Sequence, residues 1–206
     1  MQEIDQVERE IHESISVKKG LLEKSVRQIT QVAGVIVERL KAGKKVLVLG
    51  NGGSAADAQH IAAEFVGRYE AERRALPAIA LTTDTSTLTA VSNDYGFENV
   101  FARQIEALAN PGDVVLAIST SGSSPNVLIA LGVGRRLGLL TIGLSGRTGG
   151  EMKDLADYCI CVPSDSTPRI QEAHILIGHI LSGIVERAFL PECTAAHDFN
   201  STDTAR

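Results

Sequence analysis

Five short apolar runs, rich in Val, Ile and Leu, set the strongest limit on what this chain can fold into: Val46–Leu49, Ala78–Leu81, Val114–Ile118, Leu140–Leu144 and Tyr158–Val162. None alternates apolar with polar residues, which is the pattern of strands covered on both faces. Helical periodicity separates them, at Ala55–Phe65, Ser86–Ser92, Asn99–Leu108, Pro125–Leu137 and, briefly, Glu151–Leu155, and a long helical stretch runs from about Arg169 to Leu190. This alternation predicts an α/β fold: a three-layer sandwich around a five-stranded, mostly parallel sheet, flavodoxin-like or Rossmann-like. Two extra helices precede it, one carrying Ile4, Val7, Ile11 and Ile15, the other Val26, Ile29, Val32, Ile36 and Leu40 before Gly43 ends it. They either cover the sheet or leave apolar surface for a neighbouring subunit.

A length of 206 residues suits a single domain, residues 1–190 with the N-terminal helices at 1–42, followed by a polar tail at 191–206. The net charge of −5 gives no electrostatic reason to bind nucleic acid or an acidic membrane. The opening MQEIDQVEREIHES is charged from Glu3 onward, unlike a secretory signal, and no run approaches the roughly 20 apolar residues of a membrane span. A cytoplasmic location is the expectation. Cys159 and Cys161 share one face of a strand and read as small buried apolar groups rather than a metal pair; Cys193, in the tail, carries no signal.

In an open parallel sheet, ligands collect beyond the C-terminal ends of the strands. Two loops there stand out. The first, Gly50-Asn51-Gly52-Gly53-Ser54, matches a dinucleotide fingerprint poorly: Glu70 and Glu72 fall at the distance of a ribose partner, but in a charged loop rather than at a strand end. Its glycines instead let backbone amides approach a ligand, with Ser54 placed to cap the next helix. The second, Ser119-Thr120-Ser121-Gly122-Ser123-Ser124, brings five hydroxyls to a helix whose first position is Pro125, so Ser124 is the natural N-cap. Free amides, a positive dipole end and neutral donors together suit a phosphate monoester.

The segments GNGGSAADAQHIAAEF, LPAIALTTD, SNDYGFENVFARQ, AISTSGSSPNV and RIQEAHILIGHIL, in this order and spacing, are similar to the sugar isomerase (SIS) domain family, and most of all to its members that isomerise phosphorylated seven-carbon sugars. The resemblance runs from about the second helix to Leu190. It implies an aldose–ketose isomerase converting sedoheptulose 7-phosphate to D-glycero-D-manno-heptose 7-phosphate through an enediol or enediolate, an entry step to heptose for lipopolysaccharide or another glycan. Such chemistry needs a base near C1 and C2, a proton relay at the oxygens and stabilisation of negative charge. The resemblance assigns Glu64 and His179 as the acid–base pair. It assigns His60, Glu64, Gln171 and His179 as ligands of a zinc ion, and it implies a homotetramer with sites near subunit interfaces.

His60 and Glu64, four apart on one helix, project from the same face. Gln171 and His179 lie roughly 12 Å apart along a straight helix, so they reach one ion only if Gln171 sits at a non-helical start or a second subunit contributes one of them. Asn51, Gly52, Gly53, Ser54, Asn93, Asp94 and Gln171 match family positions that meet the sugar; Ser119, Thr120, Ser121 and Ser124 would take the phosphate. Asn93 and Asp94 read as a loop after a helix. Arg169 either lends a positive charge to the phosphate or pairs with Asp165. His174, like His12 and His197, is expected to pack or face solvent. Two departures from the family pattern, Ala63 before Glu64 and the long tail, touch none of this chemistry. The rival reading is a non-catalytic SIS phosphosugar-binding protein that associates with the replication initiator, but those relatives lack the Glu64 and His179 pair. A phosphosugar-sensing regulator would need an added DNA-binding domain.

Overall fold

The structure, a computed structural model, describes residues 2–190. The strands β1 (Val46–Gly50), β2 (Ala78–Ala80), β3 (Val114–Ile118), β4 (Leu140–Ser145) and β5 (Tyr158–Cys161) form one sheet in the order β2-β1-β3-β4-β5. All four pairings are parallel, so the expected mostly parallel sheet is parallel throughout. β1 shows why a continuous apolar run was required. Val46 and Val48 enter the core on one face, while Leu47 and Leu49 enter the core on the other.

The first core is closed by α2 (Val26–Lys41), α3 (Gly53–Val66) and α8 (Thr167–Ala188). The second is closed by α5 (Val100–Leu108), α6 (Pro125–Arg136) and α7 (Met152–Leu155), with α4 (Thr85–Tyr95) at its edge. The two N-terminal helices behave differently. α2 buries Ile29, Val32, Ala33, Ile36 and Leu40 against the sheet, whereas α1 (Gln2–Lys24) buries only Leu21 and leaves Ile4, Val7, Ile11 and Ile15 exposed.

Three local expectations need correction. Asn93 and Asp94 lie in the last turn of α4 rather than in a loop: Asp84 caps that helix by accepting from the Thr87 amide at 3.0 Å, and the helix continues until Gly96 at φ +86. Ser54 is not a cap, because α3 already starts at Gly53; its side chain is buried inside the first turn, under Gly50. Ser124 does stand at the N-cap of α6 but makes no cap bond, and its hydroxyl turns to Ser119 instead. The tail, with Cys193 and His197, lies outside the described residues.

Candidate active site

The chain leaves β1, places α3 and β2 on one side, then crosses to β3 on the other, so the strand order reverses between β1 and β3. Gly50 and Ile118, the last residues of these two strands, are register partners. The glycine loop and the serine loop therefore flank the crevice where open α/β sheets bind ligands. Asn51 and Asn126 fasten the two loops together, each donating its side-chain N–H to the other's carbonyl oxygen at 2.9 Å. Asn126 is buried, and each amide keeps a second N–H beyond this reciprocal pair.

In the serine loop, the hydroxyl oxygens converge. Ser119 Oγ lies 3.1 Å from Ser124 Oγ and 3.4 Å from Ser121 Oγ, and it accepts from the Gly122 amide at 3.2 Å. Gly122 is at φ +67, and a Cβ there would collide with the Gly149 carbonyl, so the loop is seated backbone to backbone on the turn after β4. A ring of hydroxyls at the start of a twelve-residue helix is a donor set for a phosphate group.

The charged part of the site comes from α3 and α8, which pack side by side. His60 Nε2 stands 2.9 Å from His179 Nε2 and 3.1 Å from Glu64 Oε1. The ligand-capable atoms of His60, Glu64 and His179 all lie within 4.8 Å of one another. Two imidazoles and a carboxylate make a donor set that zinc accepts, so these residues fit the ion that the sequence resemblance implied. Gln171 takes another position. It lies inside α8 rather than at a non-helical start, and its amide covers Gly53, where a Cβ would stand 2.7 Å from Nε2. Within one chain the structure thus brings three of the four expected ligands together and puts the fourth against the glycine loop.

Arg169 meets neither expectation. It is buried and bonds the Glu10 carbonyl, the Glu10 carboxylate at 3.2 Å and Glu172 at 2.8 Å, which ties α8 to α1. Asp165 pairs with Arg147 instead, at 3.1 Å, beside a polar cavity of about 220 Å³ that Thr120 and Ser121 also line. His174 packs. It is fully buried, lies 3.2 Å through Nε2 from the Ser145 carbonyl, and burial pulls its pKa down to about 4 although that bond opposes the shift. His12 faces solvent. Cys159 and Cys161 are half-buried on β5, with their sulfurs 3.9 Å apart.

Several residues at the site escaped sequence reasoning. Asp57, one turn before His60, is half-buried; burial pushes its carboxyl up, while His60 and His179 pull the other way. The Tyr69 ring lies 5.8 Å from that of His179. Arg73, in the loop after α3, donates to the Glu64 carbonyl at 2.6 Å, and Glu186 receives the amides of Tyr69, Glu70 and Ala71 at 2.7–2.8 Å. Arg73 and Glu186 face each other at 3.8 Å, both buried. Burial would raise the Glu186 carboxyl, but the three amides and Arg73 outweigh it and hold it below the ordinary carboxylate range. Composition and spacing mark none of these, because each depends on a partner distant in sequence.

A family model described as SIS domain matches residues 11–146. The chain belongs to the SIS domain family. Among SIS proteins, it is 55% identical over 183 residues, 89% of this chain and 93% of the relative, to a phosphoheptose isomerase of Roseiflexus sp.. It is 56% identical to one of Aquifex aeolicus, covering 89% of this chain and 96% of that one. A solved phosphoheptose isomerase structure from Francisella tularensis superposes with a TM-score of 0.88 at 40% identity, covering 91% of this chain and all of that one.

Proposed function

We propose that this SIS protein is an aldose–ketose isomerase that converts sedoheptulose 7-phosphate to D-glycero-D-manno-heptose 7-phosphate, in a pathway supplying heptose to lipopolysaccharide or a related glycan. One observation supports the reading above the others: His60, Glu64 and His179 converge between α3 and α8, the two helices that meet at the glycine loop through Gly53 and Gln171. The serine loop takes the phosphate through Ser119, Thr120, Ser121 and Ser124, so the far end of the open-chain sugar reaches the glycine loop. Asn51, Gly52, Gly53, Ser54, Gln171, Asn93 and Asp94 are the groups assigned to its hydroxyls.

Glu64 accepts the proton from C1 of the ketose, giving the enediol or enediolate, and returns it at C2. His179 moves the proton between the two oxygens through Nε2, the atom that faces His60 Nε2 at 2.9 Å. Carboxylate and imidazole are both held from neighbouring helices, which fixes their separation before substrate arrives. His60, Glu64 and His179 would hold a zinc ion, with a residue of a second subunit completing the set; when bound, it would supply Lewis-acid stabilisation of charge on the sugar oxygens. We assign the protein to the cytoplasm and to a homotetramer; the exposed apolar row on α1 supports an interface between subunits, and no described helix is long and apolar enough to cross a membrane.

The test is an isomerase assay on the purified protein with and without chelator, beside Glu64→Gln and His179→Gln. The proposal expects turnover of the seven-carbon phosphate by wild type and loss in both variants. Wild-type inactivity with retained phosphosugar binding would instead favour the non-catalytic binding reading.

A further inference from the structure

We propose that Cys159 and Cys161 form a thiol-modification site, a dithiol that exchanges with small-molecule disulfides of the glutathione class and closes to an intrastrand disulfide, loosening the serine loop. The two thiols lie outside the isomerase chemistry. They occupy alternate positions on β5, an edge strand of the sheet, on the face opposite Ile160, and both are half-buried with their sulfurs already in contact at 3.9 Å.

Residues two apart on a strand have Cα atoms roughly 6.6 Å apart, inside the span of about 4.4–6.8 Å that disulfides bridge. Their Cβ atoms, on the same face, stand about as far apart as the Cα atoms, against the roughly 3.5–4.5 Å that a disulfide spans. Closure therefore bends this edge strand at Ile160 to draw the two residues together. The contact with Cys159 brings the Cys161 thiol down to about 7, helped by Lys153, and the same contact pushes Cys159 up. Cys161 is thus the attacking group at neutral pH.

The exchange balances in two steps. The Cys161 thiolate attacks one sulfur of the small disulfide, forming a mixed disulfide and releasing one thiolate. Cys159 then gives up its proton and attacks the Cys161 sulfur, forming the Cys159–Cys161 bond and releasing the second thiol. Two protein thiols are oxidised to one disulfide, and the small disulfide is reduced to two thiols.

A short path leads from this pair to the serine loop. Cys161 Sγ lies under Gly149, where a Cβ would stand only 3.0 Å away, and the turn from Gly149 to Gly150 sits directly on the backbone of Gly122. The Met152 amide donates to the Gly122 carbonyl at 3.0 Å. Turning Cys161 Sγ toward Cys159 removes the packing beneath that turn, and the serine loop rests on the turn.

The test uses the full chain with Cys193→Ser throughout, treated with oxidised glutathione. Intact mass should show loss of two hydrogens, with the link mapped to Cys159 and Cys161 and reversed by dithiothreitol. Adding Cys159→Ser should trap a single glutathione adduct on Cys161, and adding Cys161→Ser should abolish reaction. Amide exchange over residues 119–124, read without substrate, should rise several-fold on oxidation and be unchanged in the Cys161→Ser protein. Absence of the intramolecular disulfide overturns the site, and a disulfide with unchanged exchange at 119–124 overturns its link to the loop. Both readouts are independent of isomerase activity.

Discussion

Helix α8 carries two histidines five residues apart whose surroundings are opposite. His174 faces the sheet, fully buried, with a backbone carbonyl as its partner. His179 faces α3, half-exposed, with two ionisable side chains, His60 and Glu64, beside it. The carboxylates make the same contrast: Glu186 is enclosed by three backbone amides and Arg73, while Glu64, in the last turn of α3, meets an imidazole. A polar group whose partners are backbone atoms is committed to the fold. One that meets other ionisable side chains, as His179 and Glu64 do between α3 and α8, is a candidate for chemistry.

The comparison can be broken by substitution. Glu64→Gln should lower kcat by roughly a thousandfold with an unchanged melting temperature, as read by steady-state kinetics beside thermal unfolding. Glu186→Ala should do the reverse. It strands three amides and the buried Arg73, costing about 4 kcal/mol in urea unfolding, while the folded fraction keeps its turnover. A large loss of kcat at full stability would place Glu186 in the chemistry and erase the distinction.

A pH series sharpens it further. The folded His174 pKa is about 4, below the roughly 6.5 of an unfolded histidine, so the unfolded chain binds this proton first as pH falls. The stability contributed by neutral, buried His174 is complete above about pH 6.5. It is lost progressively down to about pH 4, a change of about 3 kcal/mol. His174→Leu should flatten that part of the stability profile, and an equally steep profile in the variant would refute the assignment. The smallest effect belongs to the serine loop: Ser124→Ala should raise KM roughly tenfold with kcat nearly unchanged.

Much of the fold was legible because the sheet's inner strands are covered on both faces, so β1 and β3 read as near-continuous apolar runs, and all five strands lie within one residue of their expected bounds. α1 and α2 look alike by periodicity, yet only α2 is buried, since a stripe does not say what covers it. Polarity also misplaced Asn93 and Asp94, which extend α4 on its exposed side. In the site, His60 and Glu64 could be read from helical spacing, and His179 through the resemblance. The Asn51–Asn126 bridge, the Arg147–Asp165 pair, the fastening of Arg169 to α1 and the Glu186 anchor could not, because their partners come from different elements.

The central claim, that Glu64 removes a proton from carbon, is tested most directly by NMR of sedoheptulose 7-phosphate turned over in D2O. An enediol formed by a side-chain base exchanges its proton with solvent, so wild type should place deuterium at C2 of the aldose product and, on reversal, at C1 of the ketose. Glu64→Gln should leave both carbons unlabelled even with the phosphosugar bound. Deuterium entering at the wild-type rate in that variant would contradict the account.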